Sequence, residues 1–257
     1  MIARSVGAID AMMQEAEAGA VAPVGCPIGS GHVCCEDCRV RFLSVCAALG
    51  ANELHELNAL TRLSCFEPRA ILFLQDEAAG AVFNVTEGVV RLFRLLPDGR
   101  RQIVGFALPG DFLGLSLSER YSFSAEAIGH VKACRFERKT FAEFVDRKPH
   151  LLRRLHGFAT HELAIAQEQM VILGRRTAEE KVAAFLVGLR DRWARIEKVT
   201  VHVPLPMSRQ DIADFLGLTI ETVSRTISRF ARDKVLVVVP DGVRLLDVAR
   251  LERMAAV

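Results

Sequence analysis

The 257-residue sequence lacks the features that would place it in a membrane, an export pathway or a purely electrostatic complex. No stretch approaches the ~18 consecutive apolar residues of a membrane-spanning helix. The first twenty residues include Asp10, Glu15 and Glu17 and have no adequate apolar segment, so they do not form a secretory signal. The net charge is only +2, so affinity for any polyanion would depend on locally placed basic groups. A cytoplasmic location is expected.

The sequence also lacks the arrangements that mark enzymes. It contains no P-loop, no positioned Ser-His-Asp set and no catalytic carboxylate pair in a recognisable setting. The 51% hydrophobic and 25% charged fractions are those of a globular protein, and the length suffices for two cores. We therefore expect a binding or regulatory protein and not an enzyme.

The most informative segment, residues 208–230, reads SRQDIADFLGLTIETVSRTISRF. Ser208 and Asp211 form a capping-box start, and Gly217 suits the left-handed end of a first helix. Thr219 caps a second helix, whose apolar residues Ile220, Val223, Ile227 and Phe230 are predicted to be buried. Its other face is polar and carries hydroxyls, one carboxylate and arginines, which suit contacts with DNA bases and phosphates. The segment predicts a helix-turn-helix, with an ordinary helical hairpin as the alternative.

The run GLTIETVSR resembles the FNR/FixK branch of the CRP/FNR superfamily of bacterial transcription regulators. The resemblance covers about residues 35–248. In that branch the motif E-x-x-S-R reads a TTGAT half-site and its inverted repeat. The resemblance implies that Arg225 reads guanine, Glu221 accepts from cytosine and Ser224 contacts a base edge or a phosphate. The predicted DNA-binding set is Glu221, Ser224, Arg225, Thr222, Arg209 and Arg229.

Cysteine is concentrated near the amino terminus. Five of the seven cysteines lie between positions 26 and 46, in a segment rich in glycine and proline, and Cys65 and Cys134 lie further on. A disulfide framework is not expected in a reducing compartment. The crowding is typical of thiolate ligands for a soft metal, either zinc or an iron–sulfur cluster.

The C-x2-C-x7-C spacing resembles the amino-terminal cluster segment of FNR-type regulators, whose fourth ligand lies on the far side of the sensory barrel. The resemblance implies one [4Fe–4S] cluster bound by Cys35, Cys38, Cys46 and Cys134.

Other assignments of the thiols stay open. Cys34 is an alternative to Cys35, whereas Cys26 and Cys65 are expected to be spare. The thiols would alternatively bind zinc, or sense oxidation through Cys134 or Cys46 in a cluster-free regulator. An iron–sulfur electron-transfer protein is a further alternative from a different class.

Residues 66–144 contain short alternating or β-branched runs, with Gly88, Gly99 and Gly110 at equal intervals in turn settings. Short runs separated by turns predict a barrel or jelly roll. The resemblance to the superfamily, whose members have a jelly roll in this region, implies the same. Phe123 stands where cyclic-nucleotide-binding relatives have a phosphate-binding arginine, so no cyclic nucleotide is expected. The loop LLPDGRRQ, residues 95–102, resembles the family's surface for RNA polymerase, with a plain hairpin as the alternative.

Residues 150–174 predict a long helix with apolar positions at a strict 4-3 spacing, which is the seam of a two-stranded coiled coil. A core-facing helix is the alternative. Because the seam has no paired carboxylates at its centre, we expect a dimer that survives cluster loss and a less strict oxygen switch. The predicted dimerisation residues are Leu152, Ala159, Leu163, Ala166, Met170 and Leu173.

The predicted fold class is therefore α+β, with an amino-terminal β-roll (jelly-roll) sensor domain, a long dimerisation helix and a carboxy-terminal winged helix-turn-helix. The expected domains are a flexible cysteine-bearing segment (1–50), the β-roll (51–149), the dimerisation helix (150–176) and the DNA-binding domain (177–257). A short helix is expected at residues 52–63. The expected function is regulation of transcription by a homodimer that senses oxygen or nitric oxide, binds a palindromic operator and contacts RNA polymerase.

Overall fold

The computed structural model describes residues 35, 37–115, 119–197 and 201–256. The chain divides into two compact units, Met1–Arg154 and Leu155–Val257. None of the helices in the described ranges is long and apolar enough to cross a membrane.

The first unit is built on two antiparallel four-stranded sheets, with strand orders β1-β8-β3-β6 and β2-β7-β4-β5. The short alternating or β-branched runs noted within residues 66–144 form strands β2 to β5. The strands are β1 (Thr61–Phe66), β2 (Ile71–Phe73), β3 (Ala81–Glu87), β4 (Val90–Leu95), β5 (Arg101–Ala107), β6 (Phe112–Leu113), β7 (Ser124–Ala127) and β8 (Val131–Glu137).

Alternate residues of these strands enter one hydrophobic core. Phe83 and Val85 of β3, Ala125 of β7, and Val131 and Ala133 of β8 all belong to it. Because successive side chains of a strand point to opposite faces, the residues between these positions face the other side of their sheet. That second face of the β1-β8-β3 sheet carries the thiol site described below.

Short helical elements accompany the roll. They are the 3₁₀ segments Arg41–Leu43 and Val45–Ala48, helix α1 (Ala51–Ala59), helix α2 (Arg138–Asp146) and the start of helix α3 (Pro149–Arg175). The predicted helix at 52–63 was too long, because Thr61 already begins β1 and Leu63 pairs with Cys134. The Thr61 hydroxyl donates to the Leu57 carbonyl at 2.7 Å and so caps the end of α1.

The second unit contains the rest of α3 and a winged helix-turn-helix, with a three-stranded sheet in the order β10-β11-β9. Thr177 and Glu180 form a capping box at the start of helix α4: the Thr177 N–H donates to Glu180 Oε2 at 2.8 Å, and the Glu180 N–H donates to Thr177 Oγ1 at 3.4 Å. The predicted fold class is confirmed. The elements are α4 (Ala178–Glu197), β9 (His202–Pro204), α5 (Arg209–Leu216), α6 (Ile220–Arg232), β10 (Leu236–Val239), β11 (Gly242–Leu245) and α7 (Val248–Ala255).

Candidate functional site

The helix-turn-helix consists of α5 and α6, and its turn follows from three local residues. Ser208 Oγ accepts from the Asp211 N–H at 3.1 Å, while Asp211 Oδ2 accepts from the Ser208 N–H at 3.0 Å. Gly217 ends α5 at φ +61°, a conformation that L side chains rarely adopt. Thr219 then starts α6 by accepting from the Thr222 N–H at 3.2 Å. These caps are the ones that the sequence predicted.

Helix α6 buries a narrower apolar face than the spacing indicated. Val223, Ile227 and Phe230 are buried as predicted, together with Thr226. Ile220 is 38% exposed, so its predicted burial was wrong. The reason is its place as the first residue of α6, where the preceding turn leaves the side chain uncovered.

The opposite face of α6 is the candidate DNA-reading surface. Glu221 and Arg225 are exposed, whereas Thr222 and Ser224 are half-buried. The pKa of Glu221 is lowered, first by its own backbone N–H, then by the Thr219 hydroxyl and the Arg225 charge. The carboxylate therefore stays ionised and can only accept hydrogen bonds, which suits cytosine N4.

The two outlying arginines of the predicted DNA-binding set are placed differently from Arg225. Arg229 forms an ion pair with Glu179 in the first turn of α4, beside a surface groove that Arg225 and Ser228 also line. Arg209 is half-buried, and burial lowers the pKa of its guanidinium. Its Nη1 is buried and has no hydrogen-bond partner among the described residues.

Four cysteines converge on the outer face of the β1-β8-β3 sheet. Cys35, Cys38, Cys46 and Cys134 are free thiols, and the last two are buried. Burial raises the pKa of Cys134 far above its usual value, and nearby Cys38, Cys35 and Cys46 raise it further. Cys134, the predicted fourth ligand, is therefore close enough to Cys35, Cys38 and Cys46 to interact with them electrostatically.

Cys65 differs from these four cysteines. Cys65 is not spare, because it is disulfide-bonded, and the other four cysteines in the described part of the chain are free. Cys26 and Cys34 lie outside the described residues. Within the described ranges, no three His, Cys, Asp or Glu side chains form a site for a single metal ion.

Two asparagines adjoin the thiols. Cys35 Sγ donates to Asn58 Oδ1 on α1 at 3.4 Å. Asn84 lies directly opposite Cys134 in the β3–β8 register, on the same face of the sheet. It is 2% exposed, and its Oδ1 has no hydrogen-bond partner within the described residues. Sequence reasoning missed both asparagines, because only strand pairing and helix packing bring them to the cysteines.

The interior of the roll, where family relatives bind a cyclic nucleotide, is filled by aromatic side chains. The rings of Phe73 and Tyr121 stack at 4.0 Å, and Phe123 lies 5.8 Å from Phe73. The Tyr121 hydroxyl donates to the Ala81 carbonyl at 2.8 Å and accepts from the Ala81 N–H at 3.0 Å. A side chain at Gly114 would stand 2.7 Å from that carbonyl.

Most of the predicted seam of α3 is uncovered in the single chain. Leu152, Leu163 and Met170 are 53%, 58% and 65% exposed, and Ala159 and Ala166 are exposed as well. Leu173 is also exposed but lies near the turn of the helix-turn-helix, 3.6 Å from where a Gly217 Cβ would be. An exposed apolar stripe of this length is typical of a surface that a partner covers.

The fold and the reading helix define a two-unit transcription regulator with a winged helix-turn-helix. Residues 180–254 match the family described as Crp-like helix-turn-helix domain, and residues 63–148 match the family described as cyclic nucleotide-binding domain.

Individual relatives agree with these matches. The chain is 56% identical to the transcriptional activatory protein AadR of Rhodopseudomonas palustris, over 88% of this chain and 95% of AadR. It is 52% identical to the nitrogen fixation regulation protein FixK of Bradyrhizobium diazoefficiens, over 88% and 95% of the two chains. The solved structure of FixK2 from Bradyrhizobium japonicum matches with a TM-score of 0.72 and 35% identity, over 77% of this chain and 98% of that one. The chain belongs to the CRP/FNR family of DNA-binding transcription regulators and is not an enzyme.

Proposed function

We propose that this regulator is an activator of the FNR type. In this proposal it binds a TTGAT inverted repeat as a homodimer and senses oxygen or nitric oxide through a [4Fe–4S] cluster held by Cys35, Cys38, Cys46 and Cys134. The observation that carries the sensing role is the convergence of these four free thiols, from a short segment and a distant strand, on one face of the roll. The activator role rests on the similarity to AadR, a transcriptional activatory protein.

The thiol site fits an iron–sulfur cluster better than a zinc ion. Zinc would bring four sulfurs to about 2.3 Å from one ion, and the described residues form no such single-ion site. A four-iron cluster binds each cysteine through a different iron, so its ligand sulfurs stand further apart. Buried thiols with a raised pKa also need a cationic partner before they ionise. When bound, the cluster would supply a centre that oxygen or nitric oxide destroys.

Helix α1 provides a physical connection from the thiols to the start of α3. At one end, Asn58 accepts from Cys35 Sγ. In its first turn, Glu53 lies 3.1 Å from His150 Nε2, and further along the helix Glu56 accepts from Lys148 Nζ at 2.9 Å. Lys148 is buried, and its ion pairs with Glu53 and Glu56 offset the cost of removing the ammonium group from water. Cluster binding would deprotonate Cys35 and so remove its hydrogen bond to Asn58, and that change would reach the first turn of the dimerisation helix through α1.

Dimerisation would cover the apolar seam of α3 and present two reading helices to an inverted repeat. One helix-turn-helix makes a modest contact, and two linked ones raise the affinity steeply. Arg225 and the ionised Glu221 would read bases, and Ser224 would contact a base edge or a phosphate. Arg209 and Arg229 are better placed for phosphates, since one is half-buried and the other is paired with Glu179.

The filled interior of the roll supports a regulator without a cyclic nucleotide. A nucleotide would have to displace the stacked Phe73 and Tyr121 rings and would find Phe123 in place of a guanidinium. The loop at residues 95–102 remains the proposed surface for RNA polymerase. It is exposed, and Asp98 and Arg100 at its tip form an ion pair at 2.7 Å.

One experiment tests the cluster. The protein is purified anaerobically, its iron and sulfide are assayed, and its visible spectrum and operator affinity are recorded before and after exposure to air. We expect a brown protein that bleaches in air and then binds the operator more weakly. A conformational coupling of ~1–3 kcal/mol would change operator occupancy about five- to 150-fold. A colourless, iron-free preparation that still binds the operator would reject cluster sensing.

Cys65 favours a second candidate function, a cluster-free regulator that responds to thiol oxidation. Cys65 is disulfide-bonded, and a disulfide is a product of the thiol oxidation that such a regulator would sense. In that case operator affinity would change with a thiol oxidant and recover with dithiothreitol, in protein that contains no iron. Cys134→Ser and Cys46→Ser would abolish that response, since these two are the proposed sensing thiols.

A further inference from the structure

The carboxyl end of α5 is held by side chains from two other helices. Gln169 of α3 donates from Nε2 to the Phe215 carbonyl at 3.2 Å. Lys181 of α4 donates from Nζ to the Leu216 carbonyl at 3.3 Å. Gln169, helix α4 and helix α5 all lie in the unit Leu155–Val257. The two carbonyls are among the last four of α5, which have no partner within their own helix.

Neither contact is required by the local fold of the turn. Gly217 already closes the helix, because its N–H donates to the Ala213 carbonyl, and the Leu218 N–H donates to the same oxygen at 2.9 Å. The Gln169 and Lys181 bonds are therefore additional. They join the turn of the helix-turn-helix to α3 and α4, beyond what Gly217 needs for its conformation.

The Lys181 contact brings a charged group into the protein. Its side chain is 8% exposed, and an ammonium group at such a position is costly unless it is compensated. The carboxyl end of a helix carries partial negative charge, so the Leu216 carbonyl is a suitable place for it. An apolar residue of similar length would fill the same space without this cost. The charge of Lys181 therefore strengthens the hydrogen bond to the Leu216 carbonyl and does not improve the packing of the core.

Gln169 adjoins Met170, one of the predicted seam residues of α3. We infer that Gln169 and Lys181 are positioning residues, which fix the reading helix relative to the dimerisation helix and so set the spacing of half-sites that the dimer accepts. This inference rests on the proposed homodimer. Half-sites of a helix-turn-helix dimer lie about one DNA turn apart, and each added base pair moves a half-site by ~3.4 Å and turns it about the DNA axis. A reading helix held less firmly tolerates such displacement.

The test uses full-length protein prepared anaerobically and TTGAT inverted repeats whose spacer is optimal, or longer or shorter by one or two base pairs. The variant Gln169→Glu keeps the size of the side chain but places a carboxylate oxygen against the Phe215 carbonyl. Gln169→Met removes the donor without adding charge. Gln167→Glu is the matched control, since it makes the same change at an exposed position of the same helix. Lys181→Met tests the second contact.

We expect the affinity ratio between the optimal and the displaced spacers to fall about fivefold in both Gln169 variants, which is the factor that a typical net hydrogen bond provides. Lys181→Met is expected to lower the same ratio. Affinity for random DNA and the thermal unfolding midpoint should stay those of the wild type in the Gln169 variants. Gln167→Glu should behave as the wild type throughout.

The inference would be overturned if the ratio of affinities for the optimal and the displaced spacers were unchanged in both Gln169 variants. An equal loss of affinity on every duplex, random DNA included, would also overturn it, because that result describes damage to the whole reading surface. If wild-type protein bound the duplexes with all spacer lengths equally, the proposed homodimer with two reading helices would itself be overturned. That outcome is recognisable without any variant, so it is distinct from failure of the Gln169 contact.

Discussion

At the scale of single residues, Arg225 is the part of the reading surface best suited to base recognition. It is exposed on α6, whereas Arg209 is half-buried and Arg229 is engaged by Glu179. Such a guanidinium is available for bidentate contact with guanine O6 and N7, which no phosphate contact can replace in sequence discrimination.

The first prediction concerns Arg225→Ala. We expect it to weaken binding to the TTGAT inverted repeat by ~1–3 kcal/mol per half-site, and to leave binding to random DNA nearly intact. Fluorescence anisotropy titrations with both duplexes measure the difference. Arg232→Ala, which removes another arginine lining the same groove, is the comparison variant. It should weaken both duplexes alike. An equal loss on random DNA for Arg225→Ala would remove its reading role.

The second prediction concerns Asn84, whose buried amide lies opposite Cys134. Hydrogen bonds and dipoles next to ligand sulfurs are among the terms that set cluster potentials. We expect Asn84→Leu to fold and to bind the same amount of iron, because removing a buried amide with an unpaired oxygen costs little stability. The reduction potential of the proposed cluster should be lower, because an amide donor beside a ligand sulfur would favour the reduced form and leucine cannot donate. Thr86→Val, on the same strand, is the control.

Potentiometric titration followed by visible spectroscopy measures that potential. Equal potentials in Asn84→Leu and wild type would show that the amide does not face the cluster. A variant that loses its iron altogether would instead assign Asn84 a structural role in assembling the site.

At the scale of elements, α1 is the connection between the thiols and α3. It carries Glu53 in its first turn, and Glu56 and Asn58 in its carboxyl-terminal half. The pKa of Glu53 is lowered, first by the Gly50 N–H and then by His150 and Lys148, so this carboxylate is ionised at neutral pH. Both ends of α1 are therefore engaged in polar contacts outside the helix.

The third prediction tests this connection with Lys148→Met. Methionine keeps the apolar contact with Phe144, over which the ammonium lies at 4.5 Å, but cannot pair with the two glutamates. We expect the cluster to assemble normally, while the ratio of operator affinities between anaerobic and aerated protein moves toward one. Lys132→Met, which removes an exposed ion pair with Glu87 on the roll, is the control. An unchanged ratio in Lys148→Met would exclude α1 as the connection.

At the scale of the whole molecule, the question is whether the dimer depends on the cluster. The seam of α3 is apolar where it is most exposed, at Leu163 and Met170. The nearest carboxylates lie outside it, and one of them, Glu168, pairs with Arg176 at 2.7 Å. Charge repulsion within the seam is therefore weak, and burial of its apolar area favours association.

The fourth prediction is that cluster-free protein remains dimeric at micromolar concentration. Sedimentation velocity on wild type, before and after removal of iron, measures the oligomeric state. Leu163→Glu is expected to be monomeric in both preparations, because it places like charges at the centre of the seam. Wild-type monomers after iron removal would show that the cluster does maintain the dimer.

Much of the fold was predictable because its signals are local. Ser208, Gly217 and Thr219 mark the ends of α5 and α6 by capping chemistry, which depends only on neighbouring residues. The strand runs of the roll follow from alternation and turns. One error arose where pairing between distant segments decides, because β1 shortened the predicted helix at 52–63. The other was local: Ile220, the first residue of α6, is exposed instead of buried.

The sequence by itself determined the reading helix, the long apolar seam and the crowded amino-terminal cysteines, because each of these is a pattern of residue types at short spacing. The resemblance to the CRP/FNR superfamily added the class of protein and Cys134 as the fourth candidate thiol. Only the tertiary structure decided that Cys134 lies beside Cys35, Cys38 and Cys46, and that Asn84 faces it. It alone also showed that Gln169 and Lys181 hold the end of α5. These contacts join residues far apart in the chain, and no local propensity encodes which side chains a pair of strands or three packed helices bring together.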